Sequence, residues 1–343
     1  MAIRDLERTR PQRRIGVPTI VGLTIGVVGI IGLFVLRSVS TAVVDPNLPN
    51  VFQDLLTLTY SVIIESLPFV ILGIVLSIVV QIWVPDRWIV RVIPQNPVLR
   101  RIAISFLGMF LPVCECGNLP LARGLVLKGF TVSDSMTFLI AAPILNPITI
   151  ITTHQAFGFD DGILVARLLG GFAIAQLIGW LYSKHPDPDS LLTDSFAAEC
   201  AIADAEEARG SRVGKSVELF VREAGVIMPA LFIGAVLAGL VQVIVPRSVL
   251  VALGSNPLWS ILAMMVLAFV ISVCSNVDAF FILPFATTFM PGSIATFLIF
   301  GPIVDIKMLT MMRTTFSTKT LVQLTTVVAL VSAAIGLVVN YVA

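Results

Sequence analysis

Charge is scarce in this chain. Of its 343 residues only 13% are Asp, Glu, Lys or Arg, about half the share of a soluble domain. With 57% hydrophobic residues and a mean hydropathy of +0.99, a soluble globular enzyme is excluded, as are a disordered and a collagenous chain. Cysteine is also scarce: four residues cannot staple a secreted scaffold, and Cys114 and Cys116 stand too close for an ordinary disulfide. There is no Cys-x-x-Cys and no Cys/His pair at zinc spacing, so no metal or cofactor is expected. The two histidines, His154 and His185, have no sequence neighbour to act with. No Gly-x-x-x-x-Gly-Lys-Ser/Thr loop is found, so an ion gradient rather than ATP is the expected driving force. The 22 basic and 21 acidic residues nearly cancel, and no nucleic-acid partner is expected.

What the sequence does have is uncharged apolar runs of membrane-spanning length, about 20 residues each. Val17–Leu36 is the first, behind Arg4, Arg8, Arg10, Arg13 and Arg14, which places the N-terminus in the cytoplasm. It is long for a signal peptide and reads as a retained helix over 17–38 after a basic tail, 1–16. Further runs are Ser66–Pro85, Ile102–Cys114, Ser135–Phe159, Leu168–Ser183, Ala224–Pro246, Ser248–Val277, Ala279–Val304 and Thr320–Ala343. Between them, Lys184–Lys215 holds seven acidic and four basic residues. Residues 184–216 read as an acidic cytosolic linker with a short surface helix around Ala197–Arg209, dividing a first half, 51–183, from a second, 217–343.

The halves resemble each other. Thr137-Phe-Leu-Ile-Ala-Ala-Pro143-Ile-Leu-Asn146 matches Thr296-Phe-Leu-Ile-Phe-Gly-Pro302-Ile-Val-Asp305 at an offset of 159, with six of ten positions identical. Pro68, Gly73, Gln81 and Pro85 match Pro229, Gly234, Gln242 and Pro246 at 161; Asn96-Pro97 matches Asn256-Pro257, and Cys114 matches Cys274, at 160. The ordered series indicates duplication. Positive charge changes sides between the copies: Arg87, Arg91, Arg100 and Arg101 face a counterpart loop with Arg247 alone, while Asp160 and Asp161 face one with Arg313 and Lys319. The expected fold is an all-α polytopic membrane protein, one N-terminal helix plus two inverted repeats of five transmembrane or half-membrane segments each, with the C-terminus outside. The fifth segment of each copy is short, Leu119–Phe130 and Ala279–Met290, and such broken pairs point to a transporter site.

Three constellations carry chemistry. The first is Pro112-Val-Cys114-Glu115-Cys116-Gly117-Asn118-Leu-Pro120. Pro112, Gly117 and Pro120 are expected to break the helix, and a carboxylate at that depth must face a cavity, pair or protonate. The second, Cys274-Ser-Asn-Val-Asp278, takes the matched place in the other half, so Cys114, Cys116 and Cys274 are expected to face one midplane site with Asn118 and Asp278 beside them. Thiols suit soft, thiophilic species; the bland alternative is apolar filling at a kink. The third pairs Pro143 and Asn146 with Pro302 and Asp305, two further helix breaks. Glu115 and Asp305 are the proton-coupling candidates, and Asn146 joins the binding set. Asp305 and a Lys307 ion pair across helices is the structural alternative, while Glu65 ranks below Glu115.

Here the motifs become specific. Cys114-Glu-Cys116-Gly-Asn-Leu-Pro120 with Phe138-Leu-Ile-Ala-Ala-Pro143-Ile-Leu-Asn146-Pro147, and Cys274-Ser-Asn-Val-Asp278-Ala-Phe280 with Phe297 to Lys307, resemble the two signatures of the predicted permease family that includes ArsP-type organoarsenical efflux permeases and YraQ-like proteins. The resemblance covers roughly residues 50–343. It implies a permease of the cytoplasmic membrane rather than an enzyme. In the arsenical branch it implies trivalent arsenic on cysteines, here Cys114, Cys116 and Cys274. Glu115 stands where the family more often has serine, and Asn276 where it more often has an acid. The leading reading is a secondary permease for a small thiophilic or sulfur-related solute. A second is a passive channel or importer of an inorganic anion drawn by Arg123 and Lys128. A third is a membrane thiol-redox enzyme, against which the missing Cys-x-x-Cys weighs.

Overall fold

The computed structural model describes residues 50–85, 94–110, 113–159, 162–203, 212–244 and 257–342. The tail 1–16, the helix expected over 17–38, Pro112, and the loop residues Arg87, Arg91, Asp160, Asp161, Arg247 and Asn256 lie outside the described residues. Among the described residues the regular elements are helical, apart from one isolated bridge between Leu192 and Phe316.

The first half comprises α1 (Asn50–Ile78, running on through a π turn at Val79–Trp83), α2 (Pro97–Ser105), α3 (Glu115–Leu127), α4 (Val132–Ala141), α5 (Pro147–Phe157) and α6 (Ile163–Ser183). Helix α7 (Asp194–Ala203) belongs to the linker. The second half holds α8 (Arg212–Ile244), α9 (Pro257–Ile271), α10 (Asp278–Ile282), α11 (Pro291–Phe300), α12 (Ile306–Met312) and α13 (Thr318–Val342). Among the described residues, four helices are long and apolar enough to cross a membrane: Val51–Trp83, Ile163–Ser183, Arg212–Ile244 and Thr318–Val342. At 33 residues, α8 is about 50 Å long and outreaches a hydrocarbon core of about 30 Å. Its outward residues Ile233, Leu237, Leu240 and Ile244 are exposed, while Arg167, Lys307, Glu115 and Asp278 are buried. That inside-out distribution suits a lipid surround, where polar groups turn inward to find partners. The chain is a multi-pass membrane protein.

The long helices pack in opposed pairs. Thr59, early in α1, lies against Gly239, late in α8. Tyr182, in the last turn of α6, donates to the carbonyl of Thr320 at the start of α13, at 3.1 Å. Within each half, a threonine of a short helix seats on a glycine of a long one: Thr137 of α4 against Gly179 of α6, and Thr296 of α11 against Gly336 of α13. A Cβ on either glycine would strike the hydroxyl.

The runs Ser135–Phe159 and Ala279–Val304 are each divided. Residues 142–146 separate α4 from α5, and 301–305 separate α11 from α12, so Pro143 and Pro302 lie at breaks as expected. Asn146 and Asp305 cap the helices that follow, accepting from the amides of Ile148 and Met308. Gly117 and Pro120 differ from expectation. Helix α3 begins at Glu115 and runs unbroken through both. Proline removes only one hydrogen bond there, and Gly117 serves close packing: a Cβ on it would meet the carbonyl of Phe69 in α1.

The linker is also more than a surface segment. Its helix starts at Asp194, before the expected Ala197, and Leu191, Leu192 and Phe196 are buried. The amide of Thr193 bonds the carbonyl of Thr315, and that of Ser317 the carbonyl of Leu191, both at 2.9 Å. The linker is thus strapped across the junction between α12 and α13.

Candidate functional site

Three interruptions meet in the protein's interior. One precedes α3, where Cys114 is the N-cap. Another lies between α9 and α10, where Ser272 holds a positive φ of 53°, a left-handed conformation uncommon outside glycine and enriched at functional sites. The third is the 301–305 break. Each puts polar backbone and side chains in a buried interior, which is tolerated where they find partners or line a cavity.

Glu115 stands at the centre. As the first residue of α3 it sits at the positive end of that helix. One carboxylate oxygen, Oε2, accepts from the hydroxyl of Ser275 at 3.0 Å and from its amide at 3.3 Å. The other, Oε1, pairs with Lys307 Nζ at 3.3 Å. Lys307, in α12, further donates to Ser66 Oγ and to the carbonyl of Ser272, both at 3.5 Å. Both charges are essentially sealed from solvent. Each would be costly alone, and pairing with added hydrogen bonds is what makes them tolerable.

The thiols surround this pair. Cys274 Sγ lies 3.7 Å from Glu115 Oε2, Cys116 Sγ lies 3.9 Å from Oε1, and Cys116 also reaches Ser66 at 3.6 Å. All three cysteines are free and buried, and the ligand atoms of Cys114, Glu115 and Cys116 lie within 4.8 Å of one another. One soft centre could take several of them at once. Asn118, also fully buried, leaves both side-chain polar atoms without a partner. An amide with unused donors and acceptor in a dry interior costs about 1–3 kcal/mol per group, unless something else engages it.

The other expected residues are occupied. Asp278 is held by Arg167, whose two terminal nitrogens reach it at 2.6 and 2.9 Å. Arg167 also donates to Thr153 Oγ1 at 2.8 Å and to the carbonyl of Ser275 at 3.4 Å. Asn146, besides capping α5, donates to the carbonyl of Val113 at 2.9 Å; it steadies the Cys114 kink. Asp305 caps α12 through one oxygen, while the other has no partner. Lys307 therefore pairs with Glu115, not Asp305.

Three residues of this centre were missed by sequence reasoning. Ser275 stands inside the second constellation with nothing to mark its role, and Ser66 gives no signal of its own in an apolar stretch. Arg167 lies one residue before the run Leu168–Ser183, and a cation at the edge of a run passes for an interfacial one.

Arg123 departs from the anion-importer reading. It is fully buried, closed between Glu223 at 2.8 Å and Glu199 at 3.0 Å, and stacked on the Phe196 ring at 4.2 Å. Glu199 is shared with Arg222 at 2.9 Å. Burial pushes the Glu199 carboxyl above its usual range despite Arg123. A guanidinium closed in this way has no free face for a solute. Lys128 donates to the carbonyl of Gln81 at 3.1 Å.

Comparison with known proteins agrees with this architecture. The ArsP_1 family model, described as a predicted permease, matches residues 51–341. The chain is 35% identical to YcgR of Bacillus subtilis over 291 residues, 84% of this chain and 98% of that one. It is 33% identical over 278 residues to a Streptococcus mutans protein named as a subunit of a two-component membrane permease complex, covering 81% and 92% of the two chains. Against YraQ of Escherichia coli it is 25% identical over 114 residues, about a third of each. No solved structure matches it.

Proposed function

The chain belongs to the ArsP_1 family of predicted permeases, and on that premise we propose that it is a secondary permease for a small neutral thiophilic solute, with trivalent organoarsenicals the leading class. The observation that carries this reading is the convergence of Cys114, Cys116 and Cys274, from both halves of the chain, around Glu115.

Charge decides among thiophilic solutes. The Glu115 carboxylate is already paired with Lys307, so a soft cation bound by neutral thiols would have no free carboxylate among its ligands. Methylarsenite avoids this. Two As–OH bonds give way to two As–S bonds, each thiol proton leaves with a hydroxide as water, and arsenic stays trivalent. Nothing is oxidised and no net charge changes. Asn118 supplies hydrogen bonds to the arsenic hydroxyls as the solute enters, before both have left as water.

The reading includes two inverted repeats that rock around this centre. Its support is that the matched helices α1 and α8, and α6 and α13, lie antiparallel, and that Glu115 meets its counterpart Ser275. Residues that touch their own counterparts lie beside a two-fold axis. We place the protein in the cytoplasmic membrane with the linker and N-terminus inside and the C-terminus outside. Glu115 and Asp305 would exchange the coupling proton, Glu115 by leaving Lys307 as the halves move.

Everted vesicles carrying the protein test this. Uptake of methylarsenite, with thiosulfate and sulfite as alternatives, should fall to background in a Cys114→Ser/Cys116→Ser/Cys274→Ser variant. Undiminished transport by that variant sinks the thiol site.

A further inference from the structure

The cluster behind Asp278 is not used by the thiol site. Thr149, in α5, is fully buried, and its hydroxyl faces three oxygens at once: the carbonyl of Pro143 at 3.0 Å, the carbonyl of Ser275 at 3.4 Å and Asn276 Oδ1 at 3.4 Å. One hydroxyl proton can serve only one of them. The other two receive no proton from it, although Arg167 reaches the Ser275 carbonyl at 3.4 Å. Two of the carbonyls come from unwound backbone, one from the 142–146 break in the first half and one from the turn before α10 in the second.

Oxygens crowded in this way without protons between them are the arrangement a hard cation organises. The hydroxyl's distances of 3.0 to 3.4 Å to the three oxygens match edges of an octahedron with metal–oxygen distances of about 2.1–2.4 Å, in the range of small hard cations. The donors select its charge. Calcium and magnesium sites draw on carboxylates, whereas here every donor is neutral and the adjacent carboxylate, Asp278, is already closed by Arg167. The wider interior supplies the counter-charge. Glu115, Asp278 and Asp305 are fully buried against only Lys307 and Arg167 at the same breaks, so one negative charge is left over when all are ionised.

We propose that Thr149 Oγ1, Asn276 Oδ1 and the carbonyls of Pro143 and Ser275 form a sodium site joining the two halves of the chain. The site deepens the permease reading, on which it rests: sodium binding clamps the turn that carries Ser275, and Ser275 holds Glu115. Discontinuous helices that offer carbonyls to a coupling ion near the midplane are a recurring transporter device. Potassium, with longer bonds to oxygen, is too large for these edges.

Two measurements on the purified full-length protein in detergent test it without any transported solute. One is equilibrium binding of radioactive sodium. The other is the rate at which a maleimide labels Cys114, Cys116 and Cys274, in sodium, potassium or choline chloride at fixed ionic strength and pH. Saturable sodium binding, with labelling slowed at least threefold by sodium and not by potassium, is expected. Thr149→Val and Asn276→Ala should each remove the sodium effect, and Thr149→Ser should keep it. Equal labelling in all three salts, or sodium binding unchanged in Thr149→Val and Asn276→Ala, overturns the proposal. Methylarsenite protection of the cysteines, measured alongside, separates the two readings. If protection is absent while sodium binds, the thiol site fails and the ion site stands; protection without a sodium effect gives the reverse.

Discussion

Glu115 and Ser275 occupy the same place in the two motifs, 160 positions apart, and they touch: the serine hydroxyl donates to the carboxylate at 3.0 Å. One copy carries the acid and the other supplies its donors. Lys307 then closes the opposite oxygen, so the contact between the halves is also the centre of charge.

This pair should behave as a unit. Glu115→Gln or Lys307→Met alone leaves a buried charge without its partner, which costs about 3–5 kcal/mol. The double variant removes both charges and should recover much of that loss. Thermal melting of the four proteins in detergent measures the coupling. Additive losses would show that the two side chains do not depend on each other.

Asn118 should show the opposite signs for stability and binding. Its unpartnered amide penalises the empty protein. Asn118→Leu, close in volume, is therefore expected to raise the melting temperature by a few degrees while weakening methylarsenite protection of the cysteines several-fold. A variant both less stable and equally protected would show that Asn118 has a packing role only.

Glycine at 73 is required by contact. A Cβ on Gly73 would run into the backbone carbonyl of Gly117, and one on Gly117 into that of Phe69. Backbone cannot step aside as a flexible side chain can, so Gly73→Ala should cost at least the upper end of the about 1–3 kcal/mol of overpacking. Gly129, with nothing near its Cβ direction but a φ of 93°, should lose less than Gly73 on the same substitution, through backbone strain alone. Melting temperatures of the two alanine variants decide it.

The strap should hold better in acid than in base. Burial raises the Glu199 carboxyl above its ordinary range, so the docked strap binds a proton that the released strap gives up. Docking is therefore strongest below the usual glutamate range and weakens as pH climbs through the raised value. Hydrogen exchange over residues 191–203, corrected for intrinsic rates, should lose protection with rising pH. Glu199→Gln should flatten that dependence.

Much of this fold was legible because its signals are local. Apolar runs and the prolines at 143 and 302 act on their own neighbours, and the breaks fall there. Gly117 and Pro120 misled because the same residue types also permit close helix contact, and which role applies depends on α1, more than forty residues upstream. The cysteine cluster could be anticipated from the matched motifs. The ion pairs could not: Lys307 and Asp305 are near in sequence, yet Lys307 belongs to Glu115 and Asp278 to Arg167. Partner choice among buried charges is fixed by three-dimensional proximity and the cost of leaving any one bare, neither of which a linear pattern records. Arg123 reads as an interfacial cation until Phe196 and Glu199 of the strap are seen to cover it.

Leu191 and Thr193 grip the second half by backbone hydrogen bonds to Ser317 and Thr315, by hydroxyl hydrogen bonds with Thr320 and Thr314, and by buried apolar surface, while remaining covalently part of the first. The first half thus carries its own adhesive tab for the second. A gene cut between α7 and α8 would yield two polypeptides, the leading one still bearing that tab, and the pair should find each other in the bilayer and rebuild the intact permease.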